Sequence, residues 1–256
     1  MNNYKILGII IIIGLVFSIF AATIFSINSS NEEKDYNLTE FNDGQLNLTK
    51  NDLNGIKTVN INLKQEIGGV KINFTDKDNI YNITSDSEDP VKFNYTKNGD
   101  TLNINLESNR SDTIFELSNK YQYNINSDIA IGGLTANFEN GDVKNFNSKI
   151  ILGGENLILT NGNVKKINTT INTGGANIIG NAKNKVDMNS EIVIGGINME
   201  PNGNLNLKSH ERLGGVNAES YTSKDTGYYT EYTGNNISDN VINLKSQIQI
   251  GGLNLI

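Results

Sequence analysis

Apolar and polar residues alternate along most of this chain, and the alternation is organised into a repeat with one glycine doublet per copy. Each copy consists of apolar, any, Ser or Thr, any, apolar, any, apolar, Gly-Gly. Six copies occupy residues 125–133, 146–154, 167–175, 188–196, 207–215 and 244–252. A weaker seventh copy, at residues 61–69, has Leu63 in place of the hydroxyl residue and Gln65 in place of the next apolar residue. Alternation with a period of two predicts that every copy is a β-strand.

The repeat has a nearly constant period. The first glycines of the doublets are at positions 68, 132, 153, 174, 195, 214 and 251, so successive intervals are 64, 21, 21, 21, 19 and 37 residues. A period of about 20 residues built from short alternating strands is typical of solenoids, in which each repeat forms one rung. The sequence therefore predicts an all-β fold, a β-solenoid or β-helix-like stack of rungs of about 20 residues.

The alternation also predicts which side chains face the core, because residues two apart in a strand share a face. In the copy at residues 146–154 the predicted core side carries Phe146, Ser148, Ile150 and Leu152. Six copies have a small hydroxyl residue in the same inward column, namely Ser127, Ser148, Thr169, Ser190, Ser209 and Ser246. We expect these hydroxyl groups to pair along the stack.

Glycine and asparagine mark the predicted corners. We expect the doublet to turn the chain with a positive φ, at Gly175 for example, where neighbouring rungs leave little room for a Cβ atom. The opposite corner carries Asn-Gly at residues 140–141, 161–162 and 202–203. A ladder of stacked amides is predicted two residues after the doublets, at Asn156, Asn177, Asn198, Asn217 and Asn254. It is either a structural cap of the corner or a repeating ligand surface.

The first 27 residues indicate a membrane anchor. Residues 6–27 contain no charged side chain, Lys5 precedes them, and Glu32 and Glu33 follow shortly after. This run is long enough to cross the hydrocarbon core, and its positive flank predicts an extracytoplasmic C-terminal domain. We therefore expect a cytoplasmic tip at 1–5, a transmembrane helix at 6–27, a polar stalk at 28–52 and the β-domain at 53–256. A cleaved signal peptide is the alternative.

Two interruptions of the repeat are candidates for special roles. Residues 91–106 alternate on both sides of Asn98-Gly99, which predicts a hairpin that either protrudes or caps the stack. Residues 221–240 form a loop whose tyrosines are candidate partner-binding residues: Tyr221, Tyr228, Tyr229 and Tyr232. These rings either bind a glycan or protein, or pack on the preceding rung. The apolar last copy, residues 244–256, predicts an end rung that could self-associate.

The remaining composition argues against several classes of chemistry. The chain lacks cysteine, which excludes disulfides and thiolate metal sites, and its net charge of −7 without a basic stripe argues against nucleic acid. The single histidine, His210, is predicted to be solvated, whereas Glu211 falls in an apolar column and is expected to distort its rung. No nucleophile elbow, phosphate-binding loop or column of acidic residues occurs. We expect no catalytic residue, cofactor or metal site.

The first strands of the β-domain carry a family resemblance. Residues 56–63 (IKTVNINL), 67–72 (IGGVKI) and the segment from Phe93 through 100–104 (DTLNI) resemble the start of the putative-adhesin domains of prokaryotic envelope proteins. The later rungs are similar to the same family and to the related toast-rack and LiaF-like C-terminal domains. The resemblance implies an all-β, solenoid-like domain over about residues 53–256.

We therefore expect a single-pass cell-surface protein with an adhesive, structural or scaffolding role and no enzymatic activity. Its predicted partners are membrane lipid, through residues 6–27, and a surface glycan or protein. The alternative is an envelope-stress regulator that contacts a membrane sensor protein. That role belongs to LiaF-like proteins with several membrane helices, whereas this chain has one predicted helix.

Overall fold

The computed structural model describes residues 54–77, 80–86, 91–234 and 240–256, and its regular elements there are thirteen β-strands. They are β1 (Thr58–Thr75), β2 (Tyr81–Asp86), β3 (Lys92–Asn98), β4 (Thr101–Arg110), β5 (Asp112–Ser118), β6 (Gln122–Asn137), β7 (Asp142–Ile158), β8 (Asn163–Ile179), β9 (Val186–Glu200), β10 (Asn204–Asn217), β11 (Thr222–Asp225), β12 (Thr230–Thr233) and β13 (Val241–Leu255). The prediction of an all-β domain is confirmed.

The predicted N-terminal segments lie outside this described part. Within it, no helix is long and apolar enough to cross a membrane. The cytoplasmic tip at 1–5, the membrane anchor at 6–27 and the stalk at 28–52 all remain predictions from the sequence.

The long strands stack in parallel with the register that the repeat predicts. Phe146 in β7 lies opposite Ile125 in β6 and Ile167 in β8, and the three doublets are aligned in the same way. All strands belong to one open sheet, in which each long strand bends at its glycine doublet. The two halves of the bent strands pack across the core, where Phe138 and Phe146 meet edge to face with centroids 5.1 Å apart. One continuous cluster of buried apolar side chains results.

The strand order differs from the sequence order at both ends of the stack. The last strand, β13, is inserted between β9 and β10 with parallel pairing to each. The C-terminal rung is therefore an internal rung, and the prediction that it forms the end of the stack is wrong. At the other end, β4 and β5 together form a rung that pairs with β1 on the side opposite to β6.

Short antiparallel strands cap both ends. At one end β3 pairs with β4 and β2 pairs with β5, whereas at the other end β12 pairs with β10 and β11 pairs with β12. The hairpin predicted around Asn98-Gly99 is confirmed as β3–β4, with Gly99 at a φ of 62°, and it belongs to the cap. Such caps protect the ladder from pairing with a further chain.

The inward column is as predicted only up to the bend. Phe146, Ser148 and Ile150 are buried, but Leu152 is 47 % exposed and its counterpart Ile194 is 39 % exposed. The pairing passes from Ile150 directly to Leu152 and omits Ile151. The chain thus begins to bend before the glycine doublet, which turns the last apolar residue of each copy away from the core.

The corners correct one detail of the prediction. The first glycine of each doublet, not the second, has the positive φ, and Gly174 rather than Gly175 adopts a φ of 146°. A Cβ atom on Gly174 would overlap the carbonyl oxygen of Gly153 in the neighbouring rung. At the opposite corner, Asn140 and Asn161 are left-handed with φ of 59° and 56°, as Asn-Gly predicts.

Candidate functional site

The solvent-facing side of the first strand halves carries two parallel columns of polar side chains, which we call the outer polar face. The first column is mostly asparagine and runs through Asn94, Asn105, Asn62, Asn126, Asn147, Asn168, Asn189, Lys245 and Lys208. The second runs through Lys92, Glu107, Lys64, Asp128, Lys149, Thr170, Glu191, Gln247 and His210. Parallel in-register pairing aligns both columns along the stack.

The asparagine column is a continuous ladder of hydrogen bonds. Each Nδ2 donates to the Oδ1 of the neighbouring rung, for example from Asn147 to Asn126 at 2.7 Å and from Asn168 to Asn147 at 2.6 Å. An amide has two N–H groups and two acceptor positions, so the ladder leaves further hydrogen-bonding capacity on each side chain. The ladder therefore presents oriented amides to solvent at the strand spacing of about 4.8 Å.

The second column alternates in charge at its first rungs. Lys64 Nζ lies 3.0 Å from Glu107 Oε1, and Lys149 Nζ lies 4.0 Å from Asp128 Oδ2. The hydrogen bond and attraction between the first two raise the pKa of Lys64 and lower that of Glu107. Such exposed pairs add little stability. A shallow cleft of about 670 Å³ follows these two columns across β3, β4, β1, β6, β7 and β8.

The predicted tyrosine loop is a short hairpin, β11–β12, at the end of the stack beyond β10. The structure divides the four predicted tyrosines into two pairs. Tyr221 and Tyr232 are half-buried and pack against the end of the hydrophobic core, where burial raises the pKa of both phenols. Tyr228, by contrast, is 58 % exposed at the turn of the hairpin, and Tyr229 lies beside it.

Tyr228 and Tyr229 form an aromatic cluster with His210. The His210 ring stacks on Tyr228 with centroids 4.0 Å apart and an interplanar angle of 17°, and Tyr229 meets Tyr228 edge-on at 4.7 Å. Gln247 Nε2 donates to the Tyr229 hydroxyl at 2.9 Å, and Lys245 Nζ lies 5.2 Å from the centroid of the same ring. These contacts fix the rings before any ligand arrives, and Tyr228 keeps more than half of its surface in solvent.

The histidine of this cluster is the residue that sequence reasoning missed. The sequence predicts a solvated side chain at His210, but this residue is half-buried and is the last member of the charged column, directly under the hairpin. The alternation of the repeat places His210 on the outward side of its strand, so its position in the charged column could have been predicted. The proximity of the tyrosines depends on the position of β10 at the end of the stack, which the repeat does not encode.

A second cleft lies next to the cluster on the outer polar face. It measures about 450 Å³ and is lined by parts of β9, β10, β12 and β13. Lys208 and Glu231 form an ion pair of 2.7 Å at its wall, which lowers the pKa of the Glu231 carboxyl. Lys245 borders both this cleft and the Tyr229 ring. Through Lys245, the aromatic cluster thus adjoins a cleft that is lined by both polar and apolar side chains.

Glu211 does not have the effect that the sequence predicts. The β10 strand stays paired with β13 in register, with Glu211 opposite Ile248, so the rung is not distorted. The carboxyl is tolerated because β10 is the last parallel rung, and Glu211 there is only half-buried and accepts a hydrogen bond from Ser209. Burial raises the pKa of this carboxyl, and the Ser209 hydrogen bond opposes the shift.

The described residues contain no group of three or more His, Asp or Glu side chains that could hold a metal ion. What the site offers is hydrogen-bonding amides, paired charges and one exposed aromatic platform. This set suits the binding of a hydroxyl-rich or amide-rich polymer.

Comparison with known proteins gives one structural likeness. No family model matches the chain, and no curated protein matches it. The crystal structure of a putative cell adhesion protein from Clostridium sporogenes is similar with a TM-score of 0.54 and 17 % sequence identity. The similarity covers 79 % of this chain and 93 % of the other. At this identity it shows a shared fold, which agrees with the predicted putative-adhesin-like architecture.

Proposed function

We propose that this protein is a non-catalytic adhesive protein of the cell surface, held in the membrane by residues 6–27, which binds a surface glycan through its outer polar face. The observation that carries the proposal is the aromatic cluster. Tyr228 is exposed, its ring is held by His210 and Tyr229, and Lys245 connects the cluster to the neighbouring cleft.

The chemistry of the cluster fits a sugar ring. One face of a pyranose consists of C–H groups that pack on an aromatic ring, while its hydroxyl groups require donors and acceptors nearby. Tyr228 supplies the ring, and the cleft supplies amides and the charged ends of Lys208 and Glu231. Because the rings are already ordered, binding loses little side-chain entropy.

The fold supports a binding role more than a catalytic one. The structural neighbour is called a putative cell adhesion protein, and rigid stacked rungs that present polar side chains in rows are suited to extended ligands. The alternative role, an envelope-stress regulator, rests on the sequence resemblance alone.

Replacing Tyr228 with serine is expected to weaken glycan binding by about tenfold or more, since exposed aromatic anchors dominate such contacts. The unfolding transition should stay within about 0.5 kcal/mol of the parent because the ring is at the surface. Binding to a glycan array and to whole cells measures the first effect, and thermal melting measures the second.

Two variants serve as controls for this experiment. Glu219→Ser changes an exposed residue just before the hairpin, outside both the cluster and the cleft, and should leave binding unchanged. Tyr232→Ser should lower the melting temperature, because this ring packs on the core. If Tyr228→Ser binds every glycan that the parent protein binds, and binds it equally well, the proposed site is contradicted.

The membrane anchor gives a separate prediction. The full-length protein should sediment with membranes and resist washing with high salt and carbonate, because 22 uncharged residues in 6–27 are long enough to span the bilayer. N-terminal sequencing of the mature protein is the decisive measurement. A soluble form that begins near Asn28 would show that the segment is a cleaved signal peptide.

A further inference from the structure

One corner of the stack carries a line of exposed, large apolar side chains, which we call the apolar ridge. Its members occupy the position just before the glycine doublets and are Ile67, Ile131, Leu152, Ile194, Ile250 and Leu213. Their exposed fractions range from 38 % for Ile250 to 62 % for Leu213. The ridge is separate from the outer polar face, because the chain bends between the two.

The ridge is continuous along the stack. Successive members are paired across neighbouring strands from β1 to β10, and the one interruption is Thr173 on the central strand β8. Seven rungs at a spacing of about 4.8 Å give a length of about 30 Å. The adjacent column adds Ile151 and Val193, which are also exposed.

A contiguous apolar stripe of this kind is unusual for a protein so rich in asparagine. Single exposed apolar residues need no explanation, but patches that reach about 300–600 Å² are the largest that monomers show and often mark interfaces. The inward columns bury their apolar residues almost completely, so the core is complete without the side chains of the ridge. A partner that covers it would remove this surface from water.

We propose that the ridge is covered by the ridge of a second copy of this chain, with the two stacks antiparallel about a two-fold axis through Thr173. This arrangement overlaps the ridges over their full length. It places Leu152 opposite Ile194 of the second copy, and Ile131 opposite Ile250. The small, half-buried Thr173 meets its own symmetry mate at the centre, where two bulkier side chains would compete for space.

Charge complementarity selects the antiparallel arrangement. The column beside the ridge begins with Glu66 on β1 and ends with Arg212 on β10, and both side chains are exposed. Arg110 on β4, which is also exposed, lies opposite Ile67 and continues the ridge column beyond β1. Reversing one stack brings Glu66 of each copy opposite Arg212 of the other, at both ends of the contact. A parallel arrangement would bring Arg212 against Arg212, which is unfavourable, whereas Arg110 offsets the charge of Glu66 at the other end.

The absence of cysteine from the chain makes this arrangement testable by site-specific cross-linking. The full-length protein carrying Thr173→Cys should form a disulfide-linked dimer, because this residue lies on the proposed axis. Leu152→Cys co-expressed with Ile194→Cys should give the mixed dimer. Ile131→Cys alone should cross-link about tenfold less than Thr173→Cys, because four rungs separate its two copies and disulfides need Cα atoms within about 7 Å.

Two further variants separate this contact from random collision. Lys149→Cys, exposed on the outer polar face, should remain monomeric under the same oxidation in native membranes. Adding Ile194→Asp to Thr173→Cys should abolish the cross-link while the melting temperature stays close to that of the parent. Efficient self-cross-linking of Ile131→Cys would overturn the antiparallel arrangement, and cross-linking of Thr173→Cys no stronger than that of Lys149→Cys would overturn the dimer.

Discussion

Replacing Gly174 with valine should destabilise the domain by more than about 4 kcal/mol or prevent folding altogether. The φ of this residue is 146°, which β-branched residues do not tolerate, and an added Cβ would overlap the carbonyl oxygen of Gly153. The backbone cannot shift to relieve this overlap, because Gly174 itself lies directly under the corner of Gly195. The strain is therefore fixed by rungs on both sides.

The matched control is Gly215→Ala, a glycine at the second position of another doublet. No atom lies within 4 Å of its added Cβ, and its φ is not in the left-handed region. We expect an effect within about 1 kcal/mol. Asn172→Val, on the exposed side of the same rung as Gly174, should be similarly mild. Chemical denaturation of the three variants measures the free energies, and a comparable loss in all three would show that the doublet is not the corner.

The sequence predicts the inside of the stack well because every rung repeats the same environment. The hydroxyl residues of the inward column are all buried as expected. The predicted pairing holds for Ser209 with Ser246 and for Ser148 with Thr169, whereas the hydroxyl groups of Ser127 and Ser190 have no hydrogen-bond partner among the described residues.

The amide ladder after the doublets is also confirmed, with Asn177 donating to Asn156 at 2.9 Å and Asn198 donating to Asn177 at 3.0 Å. Its amides bond to one another and all but Asn217 are half-buried, which supports the structural interpretation of that ladder.

The sequence does not predict the order of the strands at the ends. The copies at 207–215 and 244–252 have nearly the same pattern, so each fits beside β9, and the repeat alone cannot choose between them. In the structure β13 takes the inner position, where its Ile248 is buried, while β10 places Glu211 at the less buried end. The relative cost of burying a carboxyl explains this choice. This choice places β10 beside the hairpin, and the contact between His210 and Tyr228 results from it.

The apolar ridge escaped prediction for a different reason. Strict alternation assigns Leu152 to the core, and only the early bend at Ile151 reverses it. A bend of this kind depends on the close approach of glycine backbones in adjacent rungs, which is a property of the assembled stack. The role of the four tyrosines as a binding group remains a prediction, and burial of Tyr221 and Tyr232 against the core end divides the group.

One buried carboxyl stands out in the interior. Glu155 occupies the column that holds Leu134 and Ala176 in the neighbouring rungs, and it is fully buried. Ser148 and Thr169 each donate a hydrogen bond of 2.5 Å to its carboxyl oxygens. Burial raises the pKa of Glu155 to about 7, against the opposing effect of these two hydrogen bonds. The folded protein therefore favours the protonated carboxyl below about pH 7.

The stability of the domain should consequently depend on pH through this single group. Because the folded pKa lies above the unfolded one of about 4.5, the stabilisation is complete below pH 4.5 and is lost as the pH rises through 7. A difference of about 2.5 pKa units corresponds to about 3 kcal/mol. Glu155→Gln keeps an acceptor for one hydroxyl group and cannot ionise, so it should be more stable than the parent at pH 8 but not at pH 4.5.

Denaturant titrations at pH 4.5, 6, 7 and 8 test this expectation. The free-energy difference between the parent and Glu155→Gln should grow by about 3 kcal/mol across that range and level off above pH 7. Glu107→Gln is the control, since Glu107 is an exposed carboxyl whose pKa is lowered by Lys64, and its variant should show no such growth. Parallel pH profiles for the parent and Glu155→Gln would mean that the Glu155 carboxyl reaches solvent or finds a cation in the folded state.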